Sequence, residues 1–368
     1  METKMTKPLR GAVIGYGFIS GNGHIPAYLK RALEKGDVEI VAVADTCESR
    51  RQLVCETLPN ARVYTDYEIL LEQESENLDF IDISTPPVFH AEIALAGFKH
   101  GLHVLCEKPL TVSLEEAQVL LKAAEDSKRV LFPCHNYKHA PVVKAIREVI
   151  ESGQIGKVRS VTLNTFRNTH AKGATEWRTH WRREKRFSGG GIAMDHGSHT
   201  FYLTFDWMNS YPTSVTAKMS ILEPERYDTE DNFSAVLTFP TGLAHVHLSW
   251  TAGVRKVIYT IQGDKGAITV DDDEMQIATQ HKTGGPDVAQ GAITWQVEKR
   301  NISSDWMDAS HVSWFNSLFD DFKTAIQKGV FVGKEAREAY LCVQLIQTAY
   351  QSAAQGSREL PLTPDVLL

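Results

Sequence analysis

Short apolar runs rich in β-branched residues alternate, through the first third of this chain, with longer stretches whose apolar residues recur at helical spacing. The runs fall at residues 12–14, 40–44, 80–83, 104–106 and 130–132. Runs that are apolar throughout are strands covered on both faces, and strands separated by helices pair in parallel. An N-terminal parallel sheet with helices on both faces is therefore expected. The clearest helix is predicted over residues 113–125. Ser113 caps it, Glu116 completes a capping box, and Leu114, Ala117, Leu120, Leu121 and Ala124 form one apolar stripe.

The rhythm changes after about residue 135. A helix over 142–152 ends at Gly153, and strand-like runs follow at 158–166, 214–221, 233–239, 244–250 and 257–261, with turn signals at Thr241-Gly242 and Gly263-Asp264. These predict a large, mostly antiparallel sheet. Helical periodicity returns at 312–326 and 336–352 and is expected to close this second domain. The chain thus reads as an α/β protein with an N-terminal domain over 1–134 and a C-terminal α+β domain over 135–368. Asp271 to Glu274 is read as a solvated turn, because a calcium loop needs spaced oxygen ligands and a Gly that are missing here.

Composition narrows the class. Apolar residues make up 42% of the 368 residues and charged residues 23%, as in an ordinary globular protein. Lys and Arg total 39 against 46 Asp and Glu, and the net charge of −7 disfavours a nucleic-acid or anionic-membrane partner. No run of about 18 apolar residues occurs. Five scattered cysteines, Cys47, Cys55, Cys106, Cys134 and Cys342, include no C-x-x-C pair. With a start too poor in apolar residues for a signal peptide, they imply reduced thiols and a cytoplasmic protein.

Gly15-Tyr16-Gly17 follows the first strand and precedes a helix, where glycines let the backbone approach a pyrophosphate at a helix N-terminus. Phe18 and Ile19 belong to the same cofactor loop. Ser20 stands where G-x-G-x-x-G has its third Gly, and Gly21 makes the spacing one residue longer. Asp45, closing the second strand, is placed to accept from ribose hydroxyls, which favours NAD, with NADP as the alternative because Arg50 and Arg51 lie close by.

Three further segments carry more: Ser84-Thr85-Pro86-Pro87-Val88-Phe89-His90, Glu107-Lys108-Pro109-Leu110, and the glycine-rich Gly189 to His199 segment containing Asp195-His196-Gly197-Ser198-His199. With Gly15-Tyr16-Gly17 and Ile155-Gly156-Lys157-Val158, they resemble the glucose-fructose oxidoreductase, inositol dehydrogenase and rhizopine catabolism (Gfo/Idh/MocA) family. The resemblance implies an NAD(P)-dependent dehydrogenase or reductase acting on a secondary hydroxyl or ketone of a sugar, cyclitol or related polyol. It also implies a Rossmann NAD(P)-binding domain over 1–134, an open-faced sheet in the C-terminal domain, homodimers or homotetramers and, often, a cis Lys108–Pro109 bond. Hydride transfer needs a base for the hydroxyl proton and a group that stabilises charge on that oxygen. His199 is expected as the base, Lys108 as the stabilising cation, and Asp195 as a partner that binds substrate hydroxyls or orients the imidazole from one face of a shared helix. Thr85, Pro86, His90, Glu107 and Lys108 are carried over as cofactor contacts, and His24 as a residue near the cofactor loop.

Residues 177–186 hold five basic side chains against Glu176 and Glu184, with Arg178 or Arg182 expected to reach a carboxylate or phosphate on the substrate and Arg178 the first choice. His135 and His139, or His245 and His247, have spacings a metal would use, but the chemistry needs none and no metal site is expected. Two other functions fit the fold: a redox-neutral glycosidase or lyase that keeps its NAD, and a ligand sensor without catalysis.

Overall fold

The computed structural model describes residues 7–283, 292–302 and 311–363, which form two compact units interleaved along the chain. The first takes the chain up to Asn136, then Ala171–Asp195, then the stretch ending at Gln344; the second takes Tyr137–His170, the chain onward from His196, and the stretch beginning at Leu345. Among the described residues, no helix is long and apolar enough to cross a membrane.

The first unit is built on a six-stranded sheet: Leu9–Ile14 (β1), Val38–Ala44 (β2), Arg62–Tyr64 (β3), Phe80–Ile83 (β4), His103–Cys106 (β5) and Leu131–Pro133 (β6). The order is β3-β2-β1-β4-β5-β6 and every pairing is parallel. Progression reverses between β1 and β4, and there the loops leaving the strands' carboxyl ends part to leave a crevice. The capping box holds: Ser113 Oγ accepts from the Glu116 N–H at 3.2 Å, opening the helix Leu114–Ser127. The short edge strand β3, three residues with none buried, escapes an apolarity reading.

One expectation is overturned. The helix Val312–Lys328 does not close the second domain; it packs into the core of the first. Phe319 and Phe322 each sit 5.6 Å from the ring of Phe80, Tyr28 meets Phe319 at 5.4 Å, and Phe132 meets Phe322 at 5.8 Å. The buried Arg31 guanidinium lies 4.8 Å over Phe319 and bonds Asp37 on its own segment and Asp320 on the arriving helix. An aromatic stripe and a paired buried cation thus outweigh the tendency of chain neighbours to pack together.

The second unit carries a nine-stranded sheet. Its strands are Val158–Phe166 (β7), Ser214–Ser220 (β8), Asn232–Phe239 (β9), Gly242–Ser249 (β10), Lys256–Gly263 (β11), Gly266–Asp271 (β12), Glu274–Thr283 (β13), Ala292–Asn301 (β14) and Leu360–Pro361 (β15). The order is β14-β13-β12-β11-β7-β10-β9-β8-β15, antiparallel except between β7 and β10. Strands alternate, with Val257, Tyr259 and Ile261 of β11 buried between less buried neighbours. The helix Gly197–Met208 covers that face, Phe201 reaching Phe233 and Trp207 reaching Tyr259. The acidic run at 271–274 is the hairpin turn joining β12 to β13, with Asp272 at φ 51° accepting the Val257 N–H.

Phe322 is wholly buried. Phe322→Ala should therefore lower the unfolding free energy by about 3–5 kcal/mol. Urea unfolding of the full chain measures this, and a loss under about 1 kcal/mol would contradict the packing described.

Candidate active site

Gly15 marks the crevice, with φ at 92°; a Cβ there would lie 2.9 Å from the Ser84 carbonyl oxygen and 3.1 Å from Thr85 Cγ2. Only glycine lets the β1 and β4 loops lie this close. Backbone bonds fix them: Gly15 N–H donates to Ala44 O and Ser84 N–H to Ile14 O, both at 2.8 Å. Gly17 by contrast faces open space, where a Cβ would meet nothing nearer than 4.0 Å. The residue in excess of G-x-G-x-x-G is taken up in a π-helical turn, Ser20–His24, in which the Ile25 N–H donates to Ser20 O. Phe18 is exposed and Ile19 half-buried on that loop.

Asp45 follows β2, and its carboxylate accepts from the Tyr16 N–H at 2.7 Å and the Cys47 N–H at 2.8 Å. It is thereby locked beside the glycine loop. The buried hydroxyls of Ser84 and Thr85 find no hydrogen-bond partner among the described residues, and groups left so are costly unless something answers them. An open glycine cradle, a fixed carboxylate at the end of β2 and two unanswered hydroxyls fit a dinucleotide. Pro86 follows Thr85 with extended backbone. His90 is wholly buried, its two ring nitrogens 2.9 Å from the carbonyl oxygens of Thr85 and Pro109. It ties the loops after β4 and β5, and burial depresses its pKa.

Beneath these loops lies a buried ionic cluster. His24 Nδ1 meets Asp82 at 2.6 Å and Nε2 meets Glu107 at 3.0 Å, while the Tyr28 hydroxyl donates to Asp82 at 2.7 Å. Burial alone would lower the His24 pKa, but the two carboxylates outweigh it and push it up to about 10. Burial likewise opposes ionisation of Glu107, yet His24 and Lys108 hold it below the usual carboxylate range. Donor atoms of His24, Glu107 and Cys134 gather within 4.8 Å, as a metal would require. Both ring nitrogens of His24 already face carboxylates, so these residues form an ion network with Asp82.

The other Glu107 oxygen accepts from the Lys108 N–H at 3.0 Å, and the Lys108–Pro109 bond is cis, as the resemblance implied. Lys108 Nζ donates to the Asp195 carbonyl at 2.9 Å and lies 3.4 Å from Oδ1. Arg182 Nε approaches the same Oδ1 at 3.5 Å, its guanidinium stacked 4.2 Å over Trp181. Arg178 instead pairs with Glu184 at 3.0 Å and lies over Phe187. Lys108 and Asp195 are thus brought together, and of the two arginines singled out in the basic segment it is Arg182, not Arg178, that approaches them.

Asp195 and His199 do not share one helix. Ile192–Asp195 and Gly197–Met208 are separate helices with a turn at His196 between them, so four-residue spacing alone no longer sets a common face. His199 belongs to the second unit. There its Nδ1 lies 2.7 Å from the Tyr202 hydroxyl, and its ring stacks on Tyr137 at 4.0 Å. The Tyr202 oxygen also accepts the Tyr137 N–H at 3.2 Å. Tyr202 was legible only as the i+3 neighbour of His199.

Fold and site together define a dinucleotide-binding α/β oxidoreductase. Residues 9–135 match the oxidoreductase family with an NAD-binding Rossmann fold, and residues 143–269 match the GFO/IDH/MocA C-terminal domain. The chain belongs to the GFO/IDH/MocA family. It is 35% identical over 326 residues to D-xylose 1-dehydrogenase (NADP(+)) 2 of Haloferax volcanii, covering 89% of this chain and 93% of the relative. D-glucoside 3-dehydrogenase of Escherichia coli is 26% identical over 377 residues, covering 97% and 99%. Levoglucosan dehydrogenase solved with NADH and L-sorbose has the same fold, with a TM-score of 0.81 at 21% identity over 97% of this chain and 99% of that one.

The folded pKa of His24, about 10, lies above the ordinary 6.5, so its contribution to stability is complete below 6.5 and is lost as pH rises towards 10. The unfolding free energy should fall between about pH 7 and about 8, below the ordinary thiol value of about 8.5 and the phenol value of about 10. Urea midpoints across that window test it; a flat profile would mean that His24 is not held protonated.

Proposed function

We propose that the chain oxidises a secondary hydroxyl of a sugar, cyclitol or related polyol with NAD, or reduces the matching ketone. The observation that carries this is the Lys108 ammonium held on Asp195 directly after β5, on the same parallel sheet whose glycine loop is shaped for a dinucleotide. Gly15, Gly17, Phe18 and Ile19 would hold the pyrophosphate, Asp45 the ribose, and Thr85, Pro86, Glu107 and Lys108 the nicotinamide side, with His90 keeping the two loops in register. When bound, the nicotinamide supplies the hydride acceptor or donor.

The chain's own groups handle the proton and the charge. Lys108 Nζ lowers the pKa of the reacting hydroxyl and steadies the developing oxyanion. Asp195 holds that ammonium by its backbone and side-chain oxygens and accepts from neighbouring substrate hydroxyls. His199 takes the proton: when Nδ1–H donates to the Tyr202 oxygen, the lone pair stands on Nε2. Tyr202 acts as a positioning residue by fixing that tautomer. Arg178 would contact the substrate. In this reading residues 1–134 serve the cofactor, residues 135–368 serve the substrate and self-association into a dimer or tetramer, and the reduced cysteines suit a cytoplasmic enzyme.

His199→Ala should lower kcat by about 10²–10⁴ while leaving NAD affinity unchanged. Tyr202→Phe should keep the fold and shift the pH profile of kcat. An unaltered kcat in the first variant would remove His199 from proton transfer. The activity itself is read from reduced-nicotinamide absorbance with NAD or NADP over a panel of sugars, cyclitols and sugar acids. Bound cofactor with no turnover across the panel would turn the assignment towards the redox-neutral enzyme or the sensor.

A further inference from the structure

The helix Glu48–Thr57 starts three residues after Asp45, the carboxylate assigned to the adenosine ribose. A helix N-terminus attracts anions, and in NADP-binding relatives of the fold the 2′-phosphate is met there by a neighbouring Arg. In this chain the place is filled from within. Glu176, from the basic segment far along the sequence, sets one carboxylate oxygen 2.6 Å from the Glu48 N–H and the other 2.9 Å from the Ser49 N–H, the latter also accepting from the Ser49 hydroxyl. The Cys47 N–H is taken by Asp45 itself. Arg51, the candidate reader of a phosphate, donates one guanidinium nitrogen to the carbonyls of Asp45 and Thr46.

We propose that Glu176 is a cofactor-specificity residue: its carboxylate fills the anion position at the start of the Glu48–Thr57 helix, so that the chain accepts a dinucleotide with a free 2′-hydroxyl and rejects one with a 2′-phosphate. A 2′-phosphate would have to displace Glu176 from three donors and then stand against the Asp45 carboxylate. A free ribose requires neither. The Ser49 hydroxyl, the two N–H groups and the nearby Arg51 hold the Glu176 carboxyl below the usual carboxylate range, so the blocking charge persists at neutral pH. Asp45 alone is the determinant the sequence suggests, whereas this structure adds a second carboxylate that reaches the same helix start through the fold.

This inference rests on the Rossmann unit binding NAD, and the probes separate the two. ADP and 2′,5′-ADP are titrated by calorimetry into the full-length wild type, Glu176→Ala and Glu176→Gln. Wild type should bind ADP and favour it over 2′,5′-ADP. In Glu176→Ala the preference should shift towards 2′,5′-ADP by about tenfold or more with ADP affinity nearly unchanged, and Glu176→Gln, which keeps the shape but loses the charge, should fall between them. A preference unmoved in both variants, with ADP still bound, overturns the role of Glu176. Failure of wild type to bind either probe would overturn the cofactor reading and this inference together.

Discussion

A protonated imidazole enclosed by two buried carboxylates is the interaction on which the crevice depends. Charges taken out of water are tolerated only when their partners are in place, and removing one member leaves the others uncompensated at a cost of about 3–5 kcal/mol. Here His24 comes from the helix entry behind the glycine loop, Asp82 from β4 and Glu107 from the end of β5. The glycine loop and the Lys108 segment therefore cannot shift independently, because Glu107 grips His24 with one oxygen and the Lys108 N–H with the other. Asp82, a charge within an otherwise apolar buried strand, has no packing reason to be there; its reason is this network.

What the sequence made legible were the features whose physics is local. The apolar runs located β1, β2, β4, β5 and β6, Ser113 located a helix start, and Gly15 with Asp45 located the crevice. The motif residues Lys108 and Asp195, 87 positions apart, meet in the fold. The residues that escaped act across the chain. Phe319 and Phe322 gave the helix Val312–Lys328 an obvious apolar face, but nothing in their spacing tells which core receives it. Strands β12 to β14 are mixed in polarity, and their pairing depends on hairpins rather than on apolar runs. The one-residue excess after Gly17 shows in the sequence, whereas its absorption as a π turn does not.

The same distinction explains how an acidic chain with net charge −7 can accommodate an anionic dinucleotide. Cations do not face the phosphates in excess. Arg182 and Lys108 converge on Asp195, while Arg178 and Arg186 converge on Glu184. Three of the five cations in the run at 177–186 are thus paired with the chain's own carboxylates. In the proposed reading attraction for the pyrophosphate falls to backbone N–H groups at the glycine loop, whose partial charges are fixed by the fold and need no counterion. Carboxylates serve as selectors in that reading: Asp45 takes up the Cys47 N–H and Glu176 the Glu48 and Ser49 N–H groups at the start of the helix Glu48–Thr57, cancelling backbone charge where a ribose hydroxyl belongs.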